Sequence, residues 1–148
     1  MEQDTKTICV KDIMTKNVIT VDASVTVNQA AKMMEDTNVG SIIITENNTP
    51  IGIITDRDFA IKIVAHAYPI TTTVKQVMSQ PLYSITPGES VWMIADFMST
   101  YNIRKLPVID DDKVVGIVTA TDIVNRFANA TNDEMKRMFH HELAKIYT

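Results

Sequence analysis

The feature that most constrains this chain is an internal repeat with a period of 64 residues. Shifted by that distance, Lys11 falls on Lys75, Met14 on Met78, Val27 on Val91, Ala31 on Ala95 and Met34 on Met98. Asn38 then meets Asn102, Gly52 meets Gly116, Ile53 meets Ile117, Thr55 meets Thr119 and Asp58 meets Asp122, with no gap between Lys11 and Val64. Turn residues and polar punctuation coincide along with the apolar positions, which a chance match does not give. A tandem repeat must fold as two copies of one supersecondary unit that together bury a core.

Each copy reads in the same order. A short segment, Lys11–Met14 or Lys75–Met78, leads to a brief strand at Val18–Val21 or Leu82–Ile85. Turn residues follow, Asp22-Ala23-Ser24 and Thr86-Pro87-Gly88. A helix from Val27 to about Asp36 is announced by Thr26-x-x-Gln29, the form of a capping box. Val27, Ala30, Ala31 and Met34 lie at i, i+3, i+4 and i+7, one stripe of a helix, and Val91, Ile94, Ala95 and Met98 repeat it. Two strands in hairpin come next, Ser41–Thr45 with Ile51–Thr55 and Lys105–Ile109 with Val114–Thr119, around the polar turns Glu46-Asn47-Asn48-Thr49 and Asp110-Asp111-Asp112. Their near-continuous Ile and Val suit strands buried on both faces. A second helix, Asp56–His66 or Thr121–Phe127, closes each copy. The expected fold class is therefore α+β, two tandem β-α-β-β-α units. Their expected extents are residues 1–66 and 75–129, with a linker at 67–74. A further amphipathic helix is expected within 130–148, its stripe formed by Met135, Met138, Phe139, Leu143 and Ile146.

The hairpin ends in each copy at a Thr-x-x-Asp step, Gly52-Ile53-Ile54-Thr55-Asp56-Arg57-Asp58 and Gly116-Ile117-Val118-Thr119-Ala120-Thr121-Asp122. One reading is structural: a Thr N-cap with an acidic residue at N3 satisfies free N–H groups and complements the helix dipole. The other is functional. A helix start holds phosphate, and a carboxylate can accept the adjacent hydroxyls of a ribose. Arg57, between two carboxylates in a first helical turn, is either a solvated charge or a bidentate phosphate donor. The residues alone leave both readings open.

Charge and composition narrow the classes. Lys and Arg total 14 against 18 Asp and Glu, a net charge of −4, and no stretch supplies the basic face of a nucleic-acid binder. No apolar run reaches the roughly 20 residues of a membrane span, and Met1-Glu2-Gln3-Asp4 is unlike a signal peptide. The single cysteine, Cys9, cannot form an intrachain disulfide, which suits a reducing cytoplasm. Adjacent His140 and His141 point about 100° apart on one helix, a poor metal pair. No nucleophile–base pair, Gly-rich loop or metal cluster is present, so no enzyme activity is expected. Apolar residues on more than one face of the closing helices, Phe59, Ile61, Ile63 and Val64 with Ile123, Val124 and Phe127, predict a second packed surface and hence a homodimer.

Two copies of this order, each ending in Gly-Ile-Ile/Val-Thr-x-x-Asp, resemble a pair of cystathionine-β-synthase (CBS) domains, the tandem called a Bateman module. Asp12-Ile13-Met14-Thr15 and Gln76-Val77-Met78-Ser79 resemble that family's opening motif, and Ile103-Arg104-Lys105-Leu106-Pro107-Val108-Ile109-Asp110 its central strand. The resemblance covers Val10 to about Asn129. It implies units packed through their sheets with pseudo-twofold symmetry and binding an adenosyl ligand (AMP, ADP, ATP or S-adenosylmethionine) in the cleft between them. It implies no required cofactor and a signal passed to a separate effector protein. By the same resemblance Thr55 and Asp58, and Thr119 and Asp122, would contact ribose and phosphate. Val39-Gly40-Ser41 and Ile103 to Pro107 would contact the base through strand backbone, and Val18, Ile19, Leu82, Tyr83 and Ser84 would line its other side. The second copy, with Thr119, Asp122 and Ser84 near Arg104 and Lys105, is the favoured site, and Arg57 could serve either. The competing expectation is a dimerisation scaffold in which the Thr-x-x-Asp steps are only caps.

Overall fold

The computed structural model describes residues 8–128 and, beyond them, residues 137, 140, 141 and 143–146. In chain order the elements are α1 (Val10–Ile13), β1 (Thr20–Asp22), α2 (Val27–Thr37), β2 (Ser41–Glu46) and β3 (Thr49–Thr55). There follow α3 (Asp56–Asp58), running directly into a π-helical segment (Phe59–Val64), then α4 (Val74–Val77), α5 (Val91–Tyr101), β4 (Lys105–Asp110), β5 (Lys113–Thr119) and α6 (Ala120–Ala128). The chain is of mixed α+β class, as its pattern requires.

The hairpins turn where their residues tolerate it. Asn47 and Asn48 have φ of 53° and 64°, and Asp111 and Asp112 have 51° and 62°. Left-handed backbone at both central positions makes a type I′ turn, which Asn and Asp adopt more readily than other side chains. Each hairpin shifts register at the same relative place, between Ile44 and Thr45 and between Val108 and Ile109. Helix α2 opens with the expected box: Gln29 N–H donates to Thr26 Oγ1 at 3.2 Å, and Thr26 N–H to Gln29 Oε1 at 3.1 Å. Both long helices end on a left-handed asparagine, Asn38 after α2 and Asn102 after α5.

Two elements depart from the sequence expectation. The strand expected at Leu82–Ile85 contracts to one parallel bridge, Ile85 to Val108, whereas β1 pairs with β2 over three residues. In the first copy Ala23 continues the pairing by donating its N–H to Thr45 O at 2.8 Å. The matching residue of the second copy is Pro87, which has no N–H to give. The helix expected over Asp56–His66 is α-helical for one turn only and then widens, its bonds spanning five residues (Ala65 N–H to Ala60 O, 3.0 Å). Ile61, Ile63 and Val64 are β-branched and crowd the preceding turn of an α-helix. Asn125, Phe127 and Ala128 stand there in the second copy, and α6 stays regular.

The compact units are cut differently from the repeats. One comprises Asn17–Tyr83, the middle unit; the other, the terminal unit, joins residues up to Lys16 to those from Ser84 onward. The expected spans 1–66 and 75–129 therefore describe the sequence copies, while each folded body carries the other copy's opening segment. In the middle unit Val27 N–H donates to Thr72 O and Val74 N–H to Val25 O, both at 2.8 Å, so the expected linker 67–74 ends in paired backbone. Further on, Ser79 N–H donates to Ile53 O at 2.8 Å along the free edge of β3. In the terminal unit Val10 N–H donates to Glu89 O at 2.9 Å, and Thr15 and Ile117 exchange bonds of 2.8 and 2.9 Å at the edge of β5. These clips cover sheet edges that would otherwise expose unpaired backbone.

Packing follows the same exchange. The core of the middle unit unites Val21, Val27, Ala30, Ile42, Ile44, Ile54 and Ile63 with Val74, Val77 and Met78 of the second opening segment. Ile43, on the other face of β2, is fully buried as well, so this strand is covered on both faces. The terminal unit buries Ile94, Met98, Leu106, Val108, Val118 and Ile123 along with Val10. Fully burying a side chain of this kind contributes about 1.5–3 kcal/mol. The expected C-terminal helix lies largely outside the described residues. Of its span, residues 137, 140, 141 and 143–146 are helical, and Lys145 Nζ reaches Asp96 Oδ1 on α5 at 3.1 Å.

Candidate functional site

The two Thr-x-x-Asp steps are built alike. Thr55 ends β3 with extended backbone and caps α3; its N–H donates to Asp58 Oδ2 at 2.8 Å, and Asp58 N–H to Thr55 Oγ1 at 3.4 Å. Thr119 ends β5, its N–H donating to Asp122 Oδ2 at 2.8 Å while Asp122 N–H donates to Thr119 Oγ1 at 3.2 Å. Strand pairing sets the neighbours. Ser41 lies opposite Thr55 and Lys105 opposite Thr119. The carbonyls of Gly40 and Arg104 accept from the first helical N–H groups, Asp56 at 3.1 Å and Ala120 at 3.0 Å. The capping reading is thus realised in both copies. It does not exhaust the carboxylates, since capping engages one oxygen of each.

The second oxygens differ. Asp122 Oδ1 has no hydrogen-bond or ion-pair partner among the described residues. Asp122 is half-buried, and burial raises its pKa above the ordinary carboxylate value, opposed by the backbone and side-chain hydrogen bonds of Thr119. Asp58 Oδ1 instead has Lys62 Nζ at 3.3 Å and Ser79 Oγ at 3.4 Å. Sequence reading missed both of these residues. The i,i+4 spacing of Asp58 and Lys62 on a helix is a pairing signal, whereas Ser79 arrives through the exchanged segment and leaves no local trace.

The remaining expected residues sort by unit. Val18, Ile19, Val39, Gly40, Ser41, Thr55, Arg57, Asp58, Leu82 and Tyr83 belong to the middle unit, and Ser84, Ile103, Arg104, Lys105, Leu106, Pro107, Thr119 and Asp122 to the terminal one. Tyr83 and Ser84 fall on either side of the division. Leu106 and Pro107 are buried, their side chains turned away from solvent. Val39 and Ile103 are half-buried just beyond the left-handed asparagines, their N–H groups donating to Met34 O and Met98 O. Arg57 is exposed, its backbone N–H bonded to Asp56 Oδ1 at 2.8 Å, and Arg104 is exposed too. Ile19 packs against the middle core. No group of three His, Cys, Asp or Glu able to hold a metal occurs among the described residues, nor is any described helix long and apolar enough to cross a membrane.

Comparison with known proteins agrees with this architecture. The family model described as "CBS domain" matches residues 10–65 and again 74–129. The CBS domain-containing protein YhcV of Bacillus subtilis is 39% identical over 121 residues, covering 81% of this chain and 86% of its own length. The L-aspartate semialdehyde sulfurtransferase of Methanocaldococcus jannaschii is 35% identical over 120 residues, which span 80% of this chain but only 23% of that enzyme. Among solved structures, the CBS domain pair of protein MJ0100 in complex with 5′-methylthioadenosine and S-adenosyl-L-methionine superposes with a TM-score of 0.73. It is 35% identical, over 81% of this chain and 95% of that one.

Proposed function

This chain belongs to the CBS-domain family, and from that premise we propose that it is a regulatory sensor of adenosine-containing small molecules. The ligand class is AMP, ADP, ATP or S-adenosylmethionine, and occupancy is relayed to a separate effector protein in the cytoplasm, without chemistry on the ligand. The observation that carries this reading is Asp122. The half-buried carboxylate is fixed through Oδ2 while Oδ1 has no partner among the described residues, and its cap residue Thr119 lies across the hairpin from Lys105, with Arg104 just before that strand. Leaving an acceptor partly desolvated costs stability, and a ribose diol supplies the missing donors. The solved CBS pair with two adenosyl compounds supports the same class. The 120 residues shared with the sulfurtransferase make up 23% of that enzyme, so its reaction is not carried over to this chain.

The second reading, a scaffold with capped helices and no ligand, draws on the complete hydrogen bonding of both caps. A thermal-shift series with AMP, ADP, ATP, S-adenosylmethionine, 5′-methylthioadenosine and NAD separates the two. A ligand at 100 times its dissociation constant stabilises by about 2.7 kcal/mol, a rise of about 5–10 °C for a chain of this size. A flat series with all six leaves the scaffold reading standing.

We also propose that the chain works as a homodimer. Ile63 and Ile123, two of the apolar residues on the closing helices, are spent inside their own units. Ile61 and Val64 remain 52% and 75% exposed, followed by Ile70 at 63%. Exposed apolar clusters of this kind mark interaction surfaces. Light scattering is expected to give a dimer mass at micromolar concentration, and Ile61→Asp with Val64→Asp to give monomer. A wild-type monomer under those conditions rejects the proposal.

A further inference from the structure

Asp58 and Asp122 occupy equivalent places in the repeat, yet among the described residues only Asp58 is met by a cation. Lys62 Nζ lies 3.3 Å from Asp58 Oδ1 and also donates to Ser79 Oγ at 3.0 Å and Val77 O at 3.1 Å. Two hydrogen bonds and one ion pair thus hold the ammonium. The carboxylate is equally engaged. Oδ2 accepts from Thr55 N–H and Oγ1, at 2.8 and 3.2 Å, and Oδ1 is shared by Lys62 and Ser79. A ligand hydroxyl can therefore reach Asp58 only by displacing one of them. In the second copy Arg126 stands at the position of Lys62 and Thr15 at that of Ser79. Both are exposed, and neither bonds to Asp122.

Resting on the adenosyl-ligand reading above, we infer that Lys62 is a positioning and specificity-determining residue for the first Thr-x-x-Asp step. Its ammonium holds Asp58 against ribose and makes admission depend on a phosphate in the ligand. A neutral nucleoside offers the ammonium nothing in return for Asp58. A nucleotide offers a phosphate, and charge-assisted bonds to an anion are the stronger kind. The ammonium also has room to withdraw. Lys62 lines a cavity of about 230 Å³ with His66, Tyr68, Gln76, Val77 and Met78, and its side chain is 38% exposed. The first step is thus selective for phosphorylated ligands, and the second, with Asp122 unengaged, accepts adenosine and nucleotide alike.

Calorimetry on the full chain tests this with adenosine and AMP, using Asp122→Ala to silence the second step. In that background AMP is expected to bind more tightly than adenosine. Adding Lys62→Met is expected to raise adenosine affinity about fivefold, the worth of one recovered hydrogen bond, and to erase the preference for AMP. Ser79→Ala, which frees one acceptor site on Asp58 but leaves the ammonium in place, is expected to raise the affinity for both ligands and to keep the preference for AMP. A purely structural lysine would shift both ligands together. If Lys62→Met misfolds by near-ultraviolet dichroism, Lys62→Gln carries the same expectation, its amide still able to donate to Val77 O. Unchanged or weaker adenosine binding in the folded variant overturns the inference. Binding that persists through Asp122 in the parent chain would then leave the broader ligand reading intact, whereas a parent chain that binds neither compound overturns both.

Discussion

Replacing Gly116 with alanine is expected to lower the melting temperature by about 2–12 °C, from an overpacking cost of about 1–3 kcal/mol. A Cβ built there would lie 2.6 Å from Met14 Sδ and 2.9 Å from Thr15 O. The thioether is flexible and can swing away. The carbonyl cannot, because Thr15 and Ile117 bind each other through both backbone groups. The new methyl therefore pushes on the clip that covers the edge of β5. Gly52 repeats the arrangement, with Met78 Sδ and Cγ and Ser79 O closest to the added carbon. Gly88, where an added Cβ meets nothing within 4 Å, is the control, and Gly88→Ala should leave the melt unchanged or slightly raised. A Gly116→Ala melt coincident with wild type would show that the clip yields without cost.

Asp122→Ala is expected to weaken adenosine binding to the full chain by about tenfold or more, since charge-assisted hydrogen bonds are worth about 1.5–3 kcal/mol. Asp58→Ala should cost less, because Asp58 is already engaged by Lys62 and Ser79. The pH dependence gives an independent readout. Burial raises the Asp122 pKa above 3.8. For folding, a raised carboxyl is a penalty fully present above the raised value and relieved as pH falls towards 3.8. For binding the sign reverses, because hydroxyl donors prefer the carboxylate. Affinity should be flat near neutrality and fall on acidification through the raised pKa, at a higher pH than an ordinary Asp would give. Calorimetry across that range is expected to lose this limb in Asp122→Ala; equal affinity of wild type and variant would reject Asp122 as a ligand group.

Much of this was legible before any coordinates, and for a local reason. The hairpins, the Thr26–Gln29 capping box and the helix stripes depend on residues within a turn or two of one another, and the hairpins and stripes recur in both copies, whereas the counterpart of the box keeps only the Ser90 cap. The Thr-x-x-Asp geometry was legible on the same grounds. What escaped was non-local or subtractive. Pro87 removes one donor and with it a strand. Three β-branched residues after Phe59 widen a helix without altering its apolar pattern. Ser79 reaches Asp58 only because the second opening segment lies on the first sheet, and no periodicity records which sheet a short segment will join. The Gly52 and Gly116 matches were visible as identities, but their reason, a methionine seated where a Cβ would be, is a fact of packing.

The exchange of opening segments also says what a single copy would lack. Cut out at its sequence boundaries, either copy would present a strand edge without the segment that clips it, and would carry a segment with no edge of its own to cover. Two such molecules could complete each other by reciprocal trade, as domain-swapped dimers do. The tandem is the covalent form of that trade. Joining the two copies in one chain turns a concentration-dependent association into an intramolecular one, with effective concentration set by the chain between the copies. Once joined, neither copy can be lost without stranding the other.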